Sequence, residues 1–458
     1  MTTLRRLSFS FLCLMTSLLG LSARATPVFT DAERANLVTY WNQPGRYQVG
    51  LPADVARRGP WQVRLTPEGS TWLWNYQMAL GVGKLPPNQD PTTVATQSAD
   101  WKAWVQARIA YDRWQAQSVA ETANALQGGN SRGSLASRHR AEPPAASAPP
   151  DIKTPAPPGP IPPGLLALAG NPPVFAAAVT PMEYTVAFED GETLTYNDHV
   201  AVGPNFAYYR SPQGVAVYGK PQRDEELDPI FTAAGMTPSE ERIMRAVSKL
   251  EGSFESINTY DTGFVSIGFI QFITGNDGKQ SLIEVLQREK ADKPDAFAKD
   301  FHRYGIDVST DGIVTVVDPA TGAELTGPAA VRKLIDDKRL IGVFQRAGKH
   351  SAAFCLAQVL VAKSHYWPAD DPITVTAGGQ ALACKVSDVV ASEAGIATLF
   401  DRKVNRGNIA PLAEVVGQVM AAHNLTVLAD VLPYEREIIA GVKYRVDFLK
   451  DATLSQPK

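Results

Sequence analysis

Residues 237–252 read TPSEERIMRAVSKLEG and carry the clearest structural signal in the chain. The first four residues form a capping box with proline at the first helical position, so we predict a helix that begins after Thr237. Four apolar residues recur at helical spacing and predict one apolar face: Ile243, Met244, Val247 and Leu250. Gly252 is a typical helix stop. The stretch therefore predicts an amphipathic helix that ends at Glu251.

Glu251 lies at the edge of this apolar face, at the carboxyl end of the predicted helix. A negative charge there opposes the helix dipole, and partial burial disfavours ionisation further. Both effects raise the pKa of a carboxyl group, as a general acid acting near neutral pH requires. The alternative is a surface glutamate at a frayed helix end, satisfied by water or by Lys249. The helix alone does not separate these interpretations.

Residues 260–269, YDTGFVSIGF, predict a turn followed by a strand. Together with the Glu-Gly pair at the helix end, this pattern resembles the catalytic helix and hairpin of phage-type lysozymes. Those enzymes place Asp-Thr and a glycine in the turn and continue with an aromatic residue and Thr-Ile-Gly. The resemblance implies that Glu251 is the general acid, Asp261 the second carboxylate and Ser266 a substitute for the catalytic threonine. It also implies that Gly268 lets the strand run close to a bound glycan.

Residues 268–271, GFIQ, depart from that pattern, because phage-type lysozymes usually have a Gly-His pair here. This segment resembles the Gly-Leu-Met-Gln motif of lytic transglycosylases, which follows their catalytic glutamate at a similar distance. Both families share a lysozyme-like fold, so the implied fold is the same. The reaction stays open, because transglycosylases use essentially one acid and release an anhydro-sugar. Gln271 is a candidate glycan-binding residue or only a cap for the next helix.

The resemblance predicts a hydrolase that cleaves the β-1,4 glycan of peptidoglycan by general acid/base catalysis. Inversion requires carboxyl groups about 6.5–9.5 Å apart and retention about 5–5.5 Å, and a helix end facing a hairpin turn favours the wider gap. The alternative for Asp261 is an ordinary turn residue, and for Ser266 a solvent-facing strand hydroxyl. Rival functions are a lytic transglycosylase or chitosanase-like enzyme of the same superfamily, and a non-catalytic wall-binding protein with this fold.

A second polar cluster lies at the end of a helix predicted from Ser392 to Asn405. Asp401 and Asn405 share one face at i, i+4 spacing. In lysozyme-like folds a late helix end lies across the cleft from the catalytic glutamate. The resemblance therefore makes Asn405 and Arg406 candidate substrate-binding residues. The alternative is a solvated polar face with Gly407 as the helix stop.

Residues 1–25 predict a secretory signal peptide. Arg5 and Arg6 form its basic start, an apolar run follows from Leu7 to Leu21, and a small-x-small cleavage site ends it. We therefore expect a secreted or periplasmic protein. One of the three cysteines leaves with this segment, so only Cys355 and Cys384 remain in an oxidising compartment. We predict a disulfide between them, the alternative being two separate buried thiols.

Composition divides the rest of the chain into four regions. Residues 26–126 are rich in tryptophan, and residues 127–164 form a linker of Pro, Ala, Ser and Gly. Such a linker favours extended polyproline conformations and predicts a semi-rigid spacer. Residues 165–224 predict a small β element, and residues 225–449 predict the lysozyme-like catalytic domain, dominated by helical patterns. The predicted fold class is therefore mainly α, within the α+β class.

Several elements can be placed within these regions. The predicted helices are Asp100–Ala125, Ser281–Lys290, Ala329–Phe344, Ser351–Lys363, Pro411–His423 and Pro433–Leu449. Strands are predicted at Tyr184–Phe188 and Thr193–Tyr196, with a further one at Val215–Tyr218. Trp72, Trp74 and Tyr76 alternate as they would on a strand, where they form either a small aromatic core or a sugar-binding face.

Charge and motif content disfavour other classes of function. Loss of the three arginines of the signal peptide leaves 41 basic residues against 47 acidic ones, whereas nucleic-acid binders usually carry a basic stripe. The six histidines form no i, i+4 pair, and the sequence has no phosphate loop, nucleotide fingerprint or serine-hydrolase elbow. We expect no metal and no cofactor. No segment after the signal is long and apolar enough to insert stably into a membrane.

Overall fold

The computed structural model describes residues 27–52, 61–79, 99–130, 154–198, 210–219 and 224–458. The fold is a mixture of helices and antiparallel sheets and belongs to the α+β class. The predicted signal peptide and most of the predicted linker lie outside the described residues. Within them, no helix is both long and apolar enough to cross a membrane.

Helices make up about half of the described residues. They are α1 (Asp31–Trp41), α2 (Pro67–Ala79), α3 (Ala99–Asn130), α4 (Pro163–Ala169), α5 (Asp224–Ala233), α6 (Pro238–Ser248), α7 (Ser281–Asp292), α8 (Pro294–Asp300), α9 (Pro328–Asp336), α10 (Lys338–His350), α11 (Ala352–Tyr366), α12 (Glu393–Arg406), α13 (Leu412–Ala422) and α14 (Glu435–Val442). The helices predicted at Asp100–Ala125, Ser281–Lys290, Ser351–Lys363 and Ser392–Asn405 are confirmed as α3, α7, α11 and α12.

The strands are short and pair antiparallel. They are β1 (Tyr47–Gly50), β2 (Gln62–Leu65), β3 (Ala176–Val179), β4 (Glu183–Ala187), β5 (Thr193–Asn197), β6 (Ala216–Val217), β7 (Ile257–Asn258), β8 (Ser266–Ile267), β9 (Phe272–Ile273), β10 (Ile306–Val308), β11 (Val314–Val317), β12 (Glu324–Thr326), β13 (Pro372–Ala377) and β14 (Gln380–Lys385). The sheets are β1-β4-β5, β2-β3, β6-β7-β8-β9, β10-β11-β12 and β13-β14.

The capping box predicted for α6 is confirmed. Thr237 accepts a hydrogen bond from the backbone of Glu240, whose carboxylate accepts from the backbone of Thr237. The apolar face that the sequence predicts is fully buried at Met244 and Val247. This face packs into the large core that α7, α10, α11 and α12 also line, and it fixes the position of the turn after α6.

The helix predicted at Ala329–Phe344 is wrong as a single element. It is interrupted at Asp337, which has extended backbone angles and whose carboxylate accepts from the backbone of Arg339. The same carboxylate binds the Arg339 guanidinium through two oxygens at 2.9 and 2.7 Å. Because this aspartate caps a new helix, α9 ends and α10 begins there.

The strand predicted for Trp72, Trp74 and Tyr76 is also wrong, because all three lie on helix α2. Trp72 and Tyr76 are one helical turn apart and stack with their ring centroids 5.7 Å apart. Both are buried in a small core that α2, α3 and Phe175 form, so the aromatic-core interpretation is confirmed.

Two sheets join segments from both sides of the predicted linker. Strand β1 pairs with β4, and β2 pairs with β3. Trp41 at the end of α1 is buried in the large core, where its indole N–H donates to the carbonyl of Tyr304. The tryptophan-rich region and the small β element therefore share backbone hydrogen bonds.

Candidate active site around Glu251

The helix predicted to end at Glu251 ends earlier, because α6 stops at Ser248 and Lys249 is its C-cap. Glu251 therefore lies in a tight turn immediately after α6. Its backbone N–H and that of Gly252 both donate to the carbonyl of Ser248, at 3.0 and 2.8 Å. Gly252 has a φ of +129°, and a Cβ atom there would lie 2.1 Å from the hydroxyl of Ser256. Only glycine fits this position, so the chain turns sharply just after the candidate acid.

The Glu251 carboxyl group is held by residues that are distant in sequence. Its Oε1 forms an ion pair with the Arg445 guanidinium and accepts a hydrogen bond from the Asn405 side-chain amide at 3.2 Å. The side chain is only 13% exposed, so it is mostly buried but still open to solvent on one side. A bound substrate could therefore reach it.

Asp401 binds the same two partners, Arg445 and Asn405, on the buried side of Glu251. Its carboxylate accepts from Nε and Nη2 of Arg445 at 3.0 and 2.6 Å, and from the Asn405 amide at 3.2 Å. The Asp401 side chain is 1% exposed, so substrate cannot reach it. We call Glu251, Asp401, Asn405 and Arg445 the acid cluster. Arg445 bridges the two carboxylates, and Asn405 donates to both.

Burial is the main cause of the pKa shifts in the acid cluster. It raises the pKa of Glu251; Arg445 and Asn405 oppose that rise, and the charge of Asp401 adds to it. Burial likewise raises the pKa of Asp401 against the effect of Arg445. Burial alone would lower the pKa of Arg445, but its bonds to the two carboxylates raise it instead. The sequence predicts this direction for Glu251.

Asp261 and Ser266 form a separate group at the β7–β8 hairpin. The Asp261 carboxylate accepts from the backbone of Gly263 at 2.8 Å and from the side-chain amide of Asn258 at 2.6 Å. Ser266 is buried and pairs with Asn258 across the hairpin. Burial raises the pKa of Asp261, and the two hydrogen bonds oppose the rise. In the described part of the chain, neither residue hydrogen-bonds to Glu251.

Gly268 and Gln271 make contacts within the fold. Gly268 has a φ of +89°, and a Cβ atom there would lie 2.1 Å from the side-chain oxygen of Gln358. The Gln358 amide is fully buried and bonds to the backbone of Phe269 and of Phe254, both at 3.2 Å. The side chain of Gln271 donates to the carbonyl of Gly268 at 3.0 Å. The close approach of Gln358 therefore explains why residue 268 is a glycine, without reference to a bound glycan.

Arg406 is the last residue of α12 and directly follows Asn405 of the acid cluster. Its guanidinium lies over the ring of Tyr444, 5.3 Å from the centroid, and Arg402 lies 5.4 Å from the same centroid. Two arginines therefore flank the ring of the residue before Arg445. Of the two predicted substrate-binding residues on this helix, Asn405 contacts Glu251 and Arg406 contacts Tyr444.

Two residues near Glu251 are not predicted from the sequence. Arg445 lies beyond the end of α14, whereas a helix was predicted over Pro433–Leu449. Tyr218 is 67% exposed, and its carbonyl accepts from the Ser256 hydroxyl and from the Ser253 N–H, directly beside the Gly252 turn. The only sequence signal for Tyr218 was its place at the end of a predicted strand.

The predicted disulfide between Cys355 and Cys384 is wrong, because both cysteines are free in the structure. Cys355 is buried on α11, where its thiol donates to the carbonyl of Gly348 at 3.4 Å. Cys384 is half-buried on β14, in a hairpin that packs on α13. The cysteine pattern alone did not place these two elements relative to each other.

A groove of about 410 Å³ lies between α1 and the end of α8. Its lining includes Glu33 and His302, which contact each other at 3.3 Å, and it does not include the acid cluster. No group of three or more His, Cys, Asp or Glu side chains in the described ranges is arranged to hold a metal ion.

Comparison with protein-family models, with curated proteins and with solved structures gave no significant match to this chain.

Proposed function

We propose that this protein is an exported glycosidase that cleaves the β-1,4 glycan of peptidoglycan, with Glu251 as its general acid. The observation that carries the proposal is the acid cluster. A mostly buried carboxyl group with a raised pKa faces solvent on one side, and residues 154 and 194 positions away hold its other side. A carboxyl group in such surroundings can keep its proton near neutral pH and donate it to a leaving oxygen.

The surroundings of Glu251 suit a sugar ligand. The backbone of Tyr218 lies beside the turn and the residue is 67% exposed, and aromatic rings present an apolar face with a polar edge. Asn405 and Arg406 offer hydrogen-bond donors at the end of α12. Glycan sites combine such flat apolar surfaces with a few convergent polar groups. We expect Tyr218 to stack on a sugar ring next to the bond that is cleaved.

The hydrolytic form of the reaction, which the sequence predicts, requires a second carboxylate to activate water. Asp401 is too deeply buried for that role. Asp261 is then the candidate base, with Ser266 as the hydroxyl that orients the water. No metal or other cofactor enters this scheme.

A lytic transglycosylase is the second candidate function, and the contacts of Asp261 favour it. One oxygen of this carboxylate accepts from Gly263 and the other from Asn258, both within its own hairpin. These bonds are ordinary turn chemistry. A transglycosylase needs the acid but no water-activating carboxylate, so Glu251 alone would suffice.

The test is digestion of purified cell walls by the mature chain, with mass analysis of the released sugars. Glu251→Gln keeps the size of the side chain but cannot donate the acidic proton, so we expect lysis to fall by at least about 10²–10⁴-fold. Glu284→Gln, a surface change on α7 that removes only an ion pair with His365, is the matched control and should keep full activity. Near-normal lysis by Glu251→Gln at unchanged stability would exclude Glu251 as the acid, whereas absence of lysis by the unmodified chain would favour the non-catalytic wall-binding alternative.

A further inference from the structure

The end of the predicted linker is not a free spacer. Residues 154–162, TPAPPGPIP, run without regular hydrogen bonding into helix α4. Within this segment Pro155, Pro158 and Ile161 are half-buried, whereas the two residues after each of the two prolines are exposed. From Pro155 to Ile161 burial therefore recurs every third residue, and Pro162, which precedes α4, is half-buried as well. A period of three residues is that of a polyproline II helix, which has three residues per turn.

The backbone at the end of the segment agrees with this period. Pro162 has a φ of −56° and a ψ of 132°, close to the values of the polyproline II conformation. A polyproline II helix has no internal hydrogen bonds, so its carbonyl groups face outward and are free to accept bonds from a partner. The segment thus presents one apolar edge and a row of exposed acceptors.

The surface beneath this segment is aromatic. Trp101 and Trp104 lie one turn apart on α3 and, with Ile161, pack against the small core around Trp72. The indole N–H of Trp104 donates to the carbonyl of Gly159 at 2.9 Å. The ring of Trp101 is so close to Gly164 that a Cβ atom there would lie 2.7 Å from it.

We propose that the Trp101–Trp104 face of α3 is a polyproline-recognition site, which the chain's own 154–162 segment occupies in cis. Its ligand class is a proline-rich polypeptide in the polyproline II conformation, with apolar residues at every third position. Aromatic grooves with an indole donor recognise proline-rich segments in this way, since the preformed helix loses little entropy on binding. This inference is independent of the proposed glycosidase activity.

Because the chain's own segment occupies the site, it competes with any free proline-rich peptide. A tethered ligand has a high effective concentration, so a free peptide binds weakly until the tethered segment is weakened. The segment is only partly buried, since five of its nine residues are exposed and Trp104 binds it through the carbonyl of the exposed Gly159. A proline-rich partner present in excess would displace it.

The experiment uses the full chain and a fluorescein-labelled peptide with the sequence of residues 154–163. Changing Pro155, Pro158 and Ile161 together to serine should empty the site and strengthen peptide binding at least tenfold over the unmodified chain. Adding Trp104→Phe to this triple variant keeps an aromatic ring but removes the indole N–H donor. Binding should then be about tenfold weaker than for the triple variant. A peptide with serine at the same three positions is the negative control.

Thermal unfolding of each variant establishes that the small core is intact before binding is measured. If the serine variant binds the peptide no better than the unmodified chain, the segment is not an internal competitor and the proposal fails. Equal binding by the variants with and without Trp104→Phe would also overturn it, because the indole donor would then play no part in recognition. Binding of the serine control peptide at similar strength would show a nonspecific apolar surface instead.

Discussion

Glu251 and Asp261 are two buried carboxyl groups whose pKa values burial raises, yet their partners differ in origin. Asp261 bonds to residues two and three positions away in the same hairpin. Glu251 bonds to Asn405 and Arg445, which belong to the last quarter of the chain. The first arrangement needs only a local turn, whereas the second exists only when the whole domain has folded.

This difference bears on function. An aspartate that satisfies its own turn has a structural reason to be there. A glutamate whose charge is compensated by a distant arginine is costly to maintain, because two carboxylates and a guanidinium must leave water together. Groups with perturbed pKa values and specific charge partners cluster at functional sites. The acid cluster therefore carries the functional proposal, and the hairpin carboxylate does not.

The largest effect on stability is expected for Arg445→Met. Removing the guanidinium leaves two buried carboxyl groups without a cation, which should lower the free energy of unfolding by about 3–5 kcal/mol. It also removes the group that opposes the rise in the pKa of Glu251 and Asp401. Both pKa values should then rise further, so the loss should be larger at pH 8 than at pH 4. Denaturant unfolding at the two pH values measures it.

Arg406→Met is the matched control, because Arg406 lies over Tyr444 and makes no recorded bond to the acid cluster. We expect its stability to change by less than about 1 kcal/mol. Where the Arg445 variant is folded, the alkaline limb of its pH–activity profile should move to higher pH. Equal losses for the two variants, or a loss that does not depend on pH, would contradict the charge-bridging role of Arg445.

The acid cluster shows what the sequence could and could not predict. The capping box and the apolar face of α6 are local signals, so the helix and its start follow from sixteen residues. Its end does not, because α6 stops at Ser248 and leaves Glu251 in the following turn. The pairing of Asp401 and Asn405 follows from helical spacing. Arg445 could not be found, because it lies past the end of α14 and only long-range packing brings it to Glu251.

Other incorrect predictions from the sequence also arose where local patterns do not determine how elements pack. The hairpin of β13 and β14 was missed, and Cys384 lies on it, so the disulfide was predicted without knowledge of where either cysteine points. Trp72 and Tyr76 fit a strand by alternation but also fit one helical turn, and short aromatic runs do not separate the two periods. Composition predicted the polyproline conformation of the linker but not the tryptophan face beneath it.

A third carboxyl group tests whether burial beside another carboxylate acts in the expected direction. Glu289 on α7 is 1% exposed, and the group that hydrogen-bonds to it and acts on it by charge is the carboxyl group of Asp300. Burial, with the charge of Asp300, raises the pKa of Glu289 to about 9. The unfolded chain ionises near pH 4, so between pH 4 and 9 this group lowers the free energy of unfolding as pH rises, by at most about 1.4 kcal/mol per pH unit.

We therefore expect Glu289→Gln to be more stable than the unmodified chain at neutral pH, by roughly 1–3 kcal/mol, because the neutral amide avoids the cost of holding a proton. The difference should grow from pH 5 to pH 9 and then level off. Glu284→Gln on the same helix, where the side chain is 39% exposed, should show no such pH dependence. Stability that falls at pH 8 in the Glu289 variant would show that this carboxylate is ionised in the folded protein.

The smallest effect on stability is expected for Asp261→Asn. The amide oxygen still accepts from the backbone of Gly263, but the new NH₂ group faces the NH₂ group of Asn258, and a flip of Asn258 would give up the bond that its oxygen accepts from the Tyr260 N–H. Stability should therefore change by about 1 kcal/mol. If Asp261 serves only its turn, wall cleavage should stay within about tenfold of normal, and the products should carry anhydro-muramic ends.

The same variant separates the two forms of the proposed reaction. If Asp261 activates water, its carboxylate must be ionised while Glu251 keeps its proton, so activity should peak between the two pKa values. A loss of more than about 10²-fold in Asp261→Asn, with reducing sugars as products of the unmodified chain, would therefore establish the hydrolase. Retained activity with anhydro products would establish the transglycosylase, since one carboxyl group then does all the acid chemistry. In both cases Glu251 stays the acid, because its carboxyl group combines partial exposure, a raised pKa and partners drawn from the far end of the chain.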